Sequence, residues 1–145
     1  VIAVGPRRDV DLPVGVTWVQ EDPPGGGPVA ALAAGLAVTA AEFVVVLAVD
    51  HPLITREHIT RLVECASADG AVALDDRGRL QPLVAVYRRP ALHAAVLGLP
   101  RTQGASIREV MAALVLKPVQ LGDAAVDCDT WESLGAAGET VRRTR

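Results

Sequence analysis

At 145 residues and a formal net charge of −3, the chain is long enough to bury one sizeable core and lacks the basic excess of a general nucleic-acid surface. Half its residues are apolar, yet Trp18, Phe43, Tyr87 and Trp131 are its whole aromatic content, so the core must be built from Val, Ala and Leu. Cys65 and Cys128 are too few for a disulfide framework or a zinc site, and no apolar run approaches the roughly 20 residues of a membrane-spanning helix.

Residues 1–4 read as a short strand closed by Gly5-Pro6, and residues 16–20 as a second. The segment Glu21-Asp22-Pro23-Pro24-Gly25-Gly26-Gly27 is a loop by composition, and Pro28 suits the first turn of a helix, where its missing N–H is not needed. Residues 29–42 are Ala/Leu-rich and helical in propensity. Residues 43–49 are apolar at every position, the pattern of a parallel strand covered on both faces, and the run stops at Asp50-His51-Pro52.

Thr55 is an N-cap for the next helix, with Ile54 and Ile59 spaced as a hydrophobic staple. Ile59, Leu62, Val63 and Ala66 form its expected buried stripe, and Gly70 its expected end. Residues 71–74, the turn Asp75-Asp76-Arg77-Gly78 and residues 80–88 make a hairpin. Pro90 opens a short helix reaching Gly98. Ser106 and Glu109 then form a capping box for a helix that turns Ile107, Val110, Met111 and Leu114 inward. Residues 119–121 and 124–128 read as short strands, and Thr130 caps a last helix weakened by Gly135 and Gly138. This order predicts a single α/β domain over residues 1–145, a three-layer α/β/α sandwich around a mostly parallel, Rossmann-like sheet.

Asp50 falls at the carboxyl end of the 43–49 strand, where open α/β sheets bind their ligands, and a carboxylate fixed there can hold a divalent cation against a phosphorylated ligand. A turn-forming aspartate near a proline has the same signature. Gly25, Gly26 and Gly27 let backbone approach a ligand closely, and the helix N-terminus at Pro28 attracts an anion behind them; a plain surface loop has that composition too. Arg108, on the Ser106-capped helix, is a candidate phosphate contact, its alternative being a solvated helix arginine. His51 reads as pocket lining, and His58 and His93 as helix-surface residues. With no signal-peptide pattern, a cytoplasmic protein without a membrane partner is the expectation.

Four ordered motifs carry a family resemblance: Glu21-Asp22 followed by Gly27-Pro28-Val29-Ala30-Ala31-Leu32; Val49-Asp50-His51-Pro52; Gln81-Pro82-Leu83-Val84-Ala85-Val86-Tyr87; and Asp127-Cys128-Asp129-Thr130 with Leu134. Together they resemble the MobA-like nucleotidyltransferases, and within them the molybdenum cofactor guanylyltransferases, the Asp-Cys-Asp-Thr form being that of actinobacterial versions. The resemblance implies a nucleotide-diphospho-sugar transferase type of fold and transfer of GMP from GTP to molybdopterin with release of pyrophosphate. It also implies Mg²⁺ held by Asp50 and Asp129, with Asp127 shaping that loop, and a nucleotide pocket lined by Asp22, Gly27, Pro28 and Asp50. Gln81 then faces the pterin-side substrate, and Arg108 is a separate candidate phosphate contact. The implied partners are GTP and molybdopterin, not nucleic acid or membrane, for a monomer or weak homodimer. Asp129 as helix cap and Gln81 as an exposed strand amide are the competing readings.

Two departures bear on this. The family opens with a strand and a loop of the form Leu-x-Gly-Gly-x-Ser-x-Arg-Met-Gly-x-Asp-Lys, which has no counterpart here, and no lysine precedes Lys117. That strand is central to the family's sheet, so the expectation is a natural protein longer at its N-terminus, with the strand filling a gap between residues 1–4 and 44–49. Trp131 stands where the family has proline. A CTP-dependent cytidylyltransferase, guanylyl transfer to a small phosphorylated acid, and a non-catalytic nucleotide-binding module are the alternatives.

Overall fold

The computed structural model describes residues 1–7 and 14–122, so the strand expected over 124–128 and the helix after Thr130 lie outside the described residues. In chain order its elements are β1 (Ile2–Val4), β2 (Thr17–Val19), α1 (Pro28–Ala37), β3 (Phe43–Leu47), α2 (Arg56–Cys65), β4 (Gly70–Leu74), β5 (Leu80–Arg88), α3 (Arg89–Leu97), α4 (Ile107–Ala112) and β6 (Leu116–Gln120). They fall into two units, Val1–Glu42 with Arg89–Leu114 and Phe43–Arg88 with Val115–Arg145. Among the described residues no helix is long and apolar enough to cross a membrane.

In the first unit β1 and β2 pair in parallel, Ile2 opposite Thr17 and Val4 opposite Val19. The Trp18 indole N–H donates to the Gly5 carbonyl at 2.8 Å, tying the strand to the turn that closes β1. Pro28 occupies the first turn of α1, as its fixed φ favours. The helix ends at Ala37 rather than residue 42. Val38 and Thr39 are β-branched, and the Thr39 hydroxyl accepts from the Ala41 N–H at 3.3 Å, a local bond that replaces helical ones. Val29, Ala30 and Leu36 of α1, Leu92, Ala95 and Val96 of α3 and Val110 of α4 are buried.

The second unit is where the sequence pattern misleads. Its long apolar strand is not a parallel strand covered on both faces. β3 runs antiparallel to β5, with Phe43 opposite Arg88 and Leu47 opposite Val84. It spans five residues and alternates, leaving Phe43, Val45 and Leu47 exposed, while Val49 lies wholly in the open beyond it. The reason is the hairpin: β5 returns from β4 and lies against β3, so a continuous apolar run acquires an antiparallel neighbour. β4 and β6 pair in parallel, Gly70 opposite Leu116 and Leu74 opposite Gln120. β4 and β5 are tied at both ends, by Asp75 N–H to the Arg79 carbonyl and by Arg88 N–H to the Asp69 carbonyl.

Small aliphatic side chains fill this unit as composition requires: Leu62, Ala71, Ala73, Val84, Val86, Val119 and Leu121 form one buried cluster, with Ile54, Ile59, Cys65 and Ala66 packed against it. Tyr87 is buried too, and its hydroxyl donates to the Pro82 carbonyl at 2.7 Å while burial pushes its pKa up. Thr55 caps α2 as expected, but the third helical position is His58, whose Nδ1 accepts the Thr55 N–H at 3.1 Å; it is a capping residue, not an ordinary surface histidine. Gly70 does not end α2, which stops at Cys65. It opens β4, at φ 145°, because a Cβ there would strike the Val86 carbonyl oxygen.

Val63, expected in the buried stripe, is 51 % exposed, whereas Leu62 is 0 % exposed. Leu62→Ala therefore costs about 2–5 kcal/mol of unfolding free energy and Val63→Ala about 0.5 kcal/mol or less. Urea titration of the two variants checks this; equal losses would return Val63 to the core.

Candidate active site

The second unit gathers several strand ends at one edge of its sheet. Beyond Leu47 the β3–β5 ladder continues by one bond, Ala48 N–H to the Leu83 carbonyl at 2.9 Å, so the carboxyl end of β3 lies beside the amino end of β5. The hairpin adds the carboxyl end of β4, and parallel pairing adds that of β6. Asp50, Asp75, Gln81 and Gln120 therefore share the edge at which α/β sheets bind ligands.

Asp50 is three residues beyond β3, with its side chain 43 % exposed, and its Oδ1 lies 3.0 Å from Nδ1 of His51. An ionised carboxylate only accepts, so Nδ1 of His51 carries the proton in this bond. His51 itself is buried. Among the described residues no hydrogen bond is made to Oδ2 of Asp50, which leaves that oxygen as a candidate acceptor or metal ligand. Among the described residues no group of three His, Cys, Asp or Glu side chains could enclose a metal ion. A lone exposed carboxylate still fits Mg²⁺, which retains waters and takes substrate phosphates alongside one or two carboxylates. Asp129, expected as the second ligand, and Asp127 lie outside the described residues.

Asp75 supplies the organisation of this edge. It is 0 % exposed, and its four acceptor positions are filled. Oδ1 accepts the backbone N–H groups of Arg77 and Arg79 at 2.9 and 2.8 Å. Oδ2 accepts Nε of Arg79 at 2.8 Å and Nε2 of Gln81 at 3.1 Å. The backbone N–H of Arg79, above all, holds its pKa below the ordinary value of 3.8 against the opposing effect of burial. Read from sequence, Asp75 is only a turn residue. Its signal, an aspartate followed by Arg and Gln four and six residues on, does not separate it from any other hairpin turn.

In the first unit, the loop ahead of α1 is built around Glu21, a residue that sequence reading does not single out for a role. Its Oε1 accepts the Gly25 N–H at 3.0 Å, and Gly26 N–H donates to the Pro23 carbonyl at 3.0 Å. A Cβ on Gly26 would lie 2.8 Å from that of Ala30 and 2.9 Å from the Pro23 oxygen, so this turn admits only glycine. Gly27 is left-handed at φ 91° and no side chain caps the helix behind it. Pro28 has no N–H and Ala31 N–H donates to the Gly27 carbonyl at 3.0 Å, so the amides of Val29 and Ala30 are the ones left without a side-chain cap at the start of α1. Asp22 is exposed on this loop. Arg108 follows the Ser106 cap, its backbone N–H donating to the Ser106 hydroxyl at 3.2 Å and its side chain exposed. Of the expected site residues, Asp50 and Gln81 are brought to one sheet edge, while Asp22, Gly27, Pro28 and Arg108 belong to the first unit.

Comparison with known proteins places these features in context. The profile of the MobA-like NTP transferase domain matches residues 1–119. A molybdenum cofactor guanylyltransferase of Pseudomonas putida is 37% identical over 95 residues, which cover 65% of this chain and 48% of that protein; the chain spans about half the length of this curated relative. The crystal structure of molybdopterin-guanine dinucleotide biosynthesis protein A from Archaeoglobus fulgidus superposes with a TM-score of 0.63 at 19% identity, over 88% of this chain and 69% of that one. That of 2-C-methyl-D-erythritol 4-phosphate cytidylyltransferase from Thermus thermophilus gives 0.71 at 18% identity, over 97% and 81%. The fold is therefore that of the nucleotide-diphospho-sugar transferase type, mixed α/β as expected.

Asp75 also governs stability at low pH. Its pKa is lowered in the folded state, so its stabilisation is fully present above the unfolded value and is lost as pH falls through the folded one. Urea midpoints measured between about pH 5 and pH 2 fall less steeply for Asp75→Asn than for the parent chain. Parallel acid limbs in the two proteins would refute the assignment.

Proposed function

The chain belongs to the MobA-like NTP transferase domain family, and from that premise we propose that it is a nucleotidyltransferase moving GMP from GTP onto the terminal phosphate of molybdopterin. The observation that carries this reading is the Asp50 carboxylate, set past the end of β3, with Oδ1 held by His51 and no hydrogen bond to its other oxygen among the described residues. In the transfer, an acceptor phosphate oxygen attacks the α-phosphorus of GTP. The bond from that phosphorus to the α–β bridging oxygen breaks, and pyrophosphate leaves with the electron pair. With a second phosphate pKa of about 6 the nucleophile is already largely ionised at neutral pH, so the chain need not supply a general base. Its task is in-line positioning and charge compensation.

Each residue has a place in that task. The amides behind Gly27 and Pro28 donate to phosphate oxygens, and Asp22 accepts from donors on the nucleoside. Gln81 contacts the pterin side of the acceptor, and Arg108 a phosphate. Asp50 and Asp129 would hold Mg²⁺, which when bound neutralises charge on the triphosphate. The proposed setting is the cytoplasm, with the protein a monomer or weak homodimer.

Turnover of molybdopterin with GTP and with CTP tests the reading: GMP transfer with stoichiometric pyrophosphate is expected, and a preference for CTP would replace the base. Asp50→Ala is expected to lower kcat/KM by about 10²–10³-fold. It should also abolish the Mg²⁺-dependent protection against unfolding that GTP gives the parent chain, about 2.7 kcal/mol at 100 times Kd. Intact protection in Asp50→Ala would remove Asp50 from the site. Nucleotide binding without turnover of either triphosphate would leave a non-catalytic nucleotide-binding module.

A further inference from the structure

Glu21 is a buried carboxylate that the transfer does not use, and it belongs to the loop ahead of α1. The residue is 8 % exposed, and its two oxygens differ in state. Oε1 accepts the Gly25 N–H at 3.0 Å. Oε2 is sealed from solvent and takes no hydrogen bond among the described residues. A sealed oxygen is out of reach of a ligand arriving from solvent, and a buried carboxylate oxygen without a donor is costly. The bond from Gly25 to Oε1 is therefore what this carboxylate contributes.

The glycine turn that it holds is fixed from two further directions. Gly26 N–H donates to the Pro23 carbonyl at 3.0 Å, and the Gly26 carbonyl accepts the Gly104 N–H at 2.9 Å. Gly104 lies in the turn before α4, closed by Ala105 N–H to the Thr102 carbonyl at 3.2 Å, and both loops belong to the first unit. In a planar trans peptide the C=O and N–H point in opposite directions, so the Gly27 N–H is turned away from Gly104. That N–H donates to nothing among the described residues and comes just ahead of the uncapped start of α1.

Building on the transferase reading, we propose that Glu21 is a positioning residue of the nucleotide loop. It does not touch the nucleotide; by holding Gly25 it keeps the amides ahead of and within the first turn of α1 ordered before the triphosphate binds. Three consecutive glycines have more backbone freedom to lose than any other tripeptide, and without the tether that loss falls on the binding step. What Glu21 supplies is reach, not charge. Its effect is on ground-state binding of the nucleotide, which moves KM and leaves kcat in place.

Two substitutions separate reach from charge. Glu21→Asp keeps the charge but is one methylene short of Gly25, whereas Glu21→Gln keeps an oxygen at the position of Oε1 and loses the charge. The measurements are Kd for GTP with Mg²⁺ by fluorescence titration, KM and kcat for GTP with molybdopterin as acceptor, and deuterium exchange at the Gly25 amide. Glu21→Asp is expected to raise Kd and KM about tenfold with kcat within about twofold, and to speed Gly25 exchange; Glu21→Gln is expected to stay within about twofold of the parent throughout. A loss in Glu21→Gln equal to that in Glu21→Asp would make Glu21 a charged ligand contact and overturn the proposal. Unchanged GTP affinity in Glu21→Asp would also overturn it, and a lowered thermal midpoint beside that result would mark a purely structural residue. Should Glu21→Asp not fold, Glu21→Gln decides: affinity like the parent's sustains the proposal, and a tenfold loss overturns it. The expected pattern of GTP affinity in a chain without GMP transfer would sink the transferase assignment alone, and GMP transfer with GTP affinity unchanged in Glu21→Asp would sink the role of Glu21 alone. No GTP binding by the parent chain would overturn both.

Discussion

Burying a carboxylate at the end of a sheet is unfavourable unless every lone pair finds a donor, and Asp75 meets that condition within seven residues of chain. Two backbone N–H groups, one guanidinium nitrogen and one amide nitrogen converge on it. The carboxylate thus dictates the path from β4 to β5, and that path decides much else. Because β5 returns antiparallel, its amino end lies beside the carboxyl end of β3, and Gln81 comes to the edge that carries Asp50. A turn that only reversed the chain could be closed by many residue types. One that also aims a neighbouring amide needs an acceptor with capacity to spare.

Small side chains are the second constraint. Ala71, Ala73 and Gly70 let β4 come so close to β5 that a Cβ on Gly70 would collide with the backbone of Val86. Close approach suits a unit whose core is nearly all Val, Ala and Leu, where dispersion contacts must come from tight backbone packing instead of large rings. Tyr87 is the exception, tolerated in the interior because its hydroxyl reaches the Pro82 carbonyl.

Parts of the candidate site were legible from residue type and punctuation. Asp50 is marked by an apolar run, a carboxylate and Pro52, a pattern that says where a strand stops whichever way its neighbour runs. The glycines before Pro28 announce a tight loop ahead of a helix, and Ser106 with Glu109 announces a cap, which the structure bears out. What stayed hidden were relations between side chains. His51 beside Asp50 looks like pocket lining until its ring is seen held against Oδ1. Asp75 looks like a turn until its four donors are counted, and Gln120 carries no local sign at all, since its partner is 45 residues away.

Helix caps, breakers and the aliphatic core are local consequences of side-chain shape and backbone chemistry, and the sequence by itself determined them. The direction of β3 and the outward face of Val63 were decided only by tertiary structure, as was the orientation of the Gln81 and Gln120 amides. An apolar run has the same composition beside a parallel or an antiparallel neighbour, and an amide has no preferred polarity until an acceptor faces it. Both choices are made by partners distant in the chain, brought together when β5 folds back from Asp75.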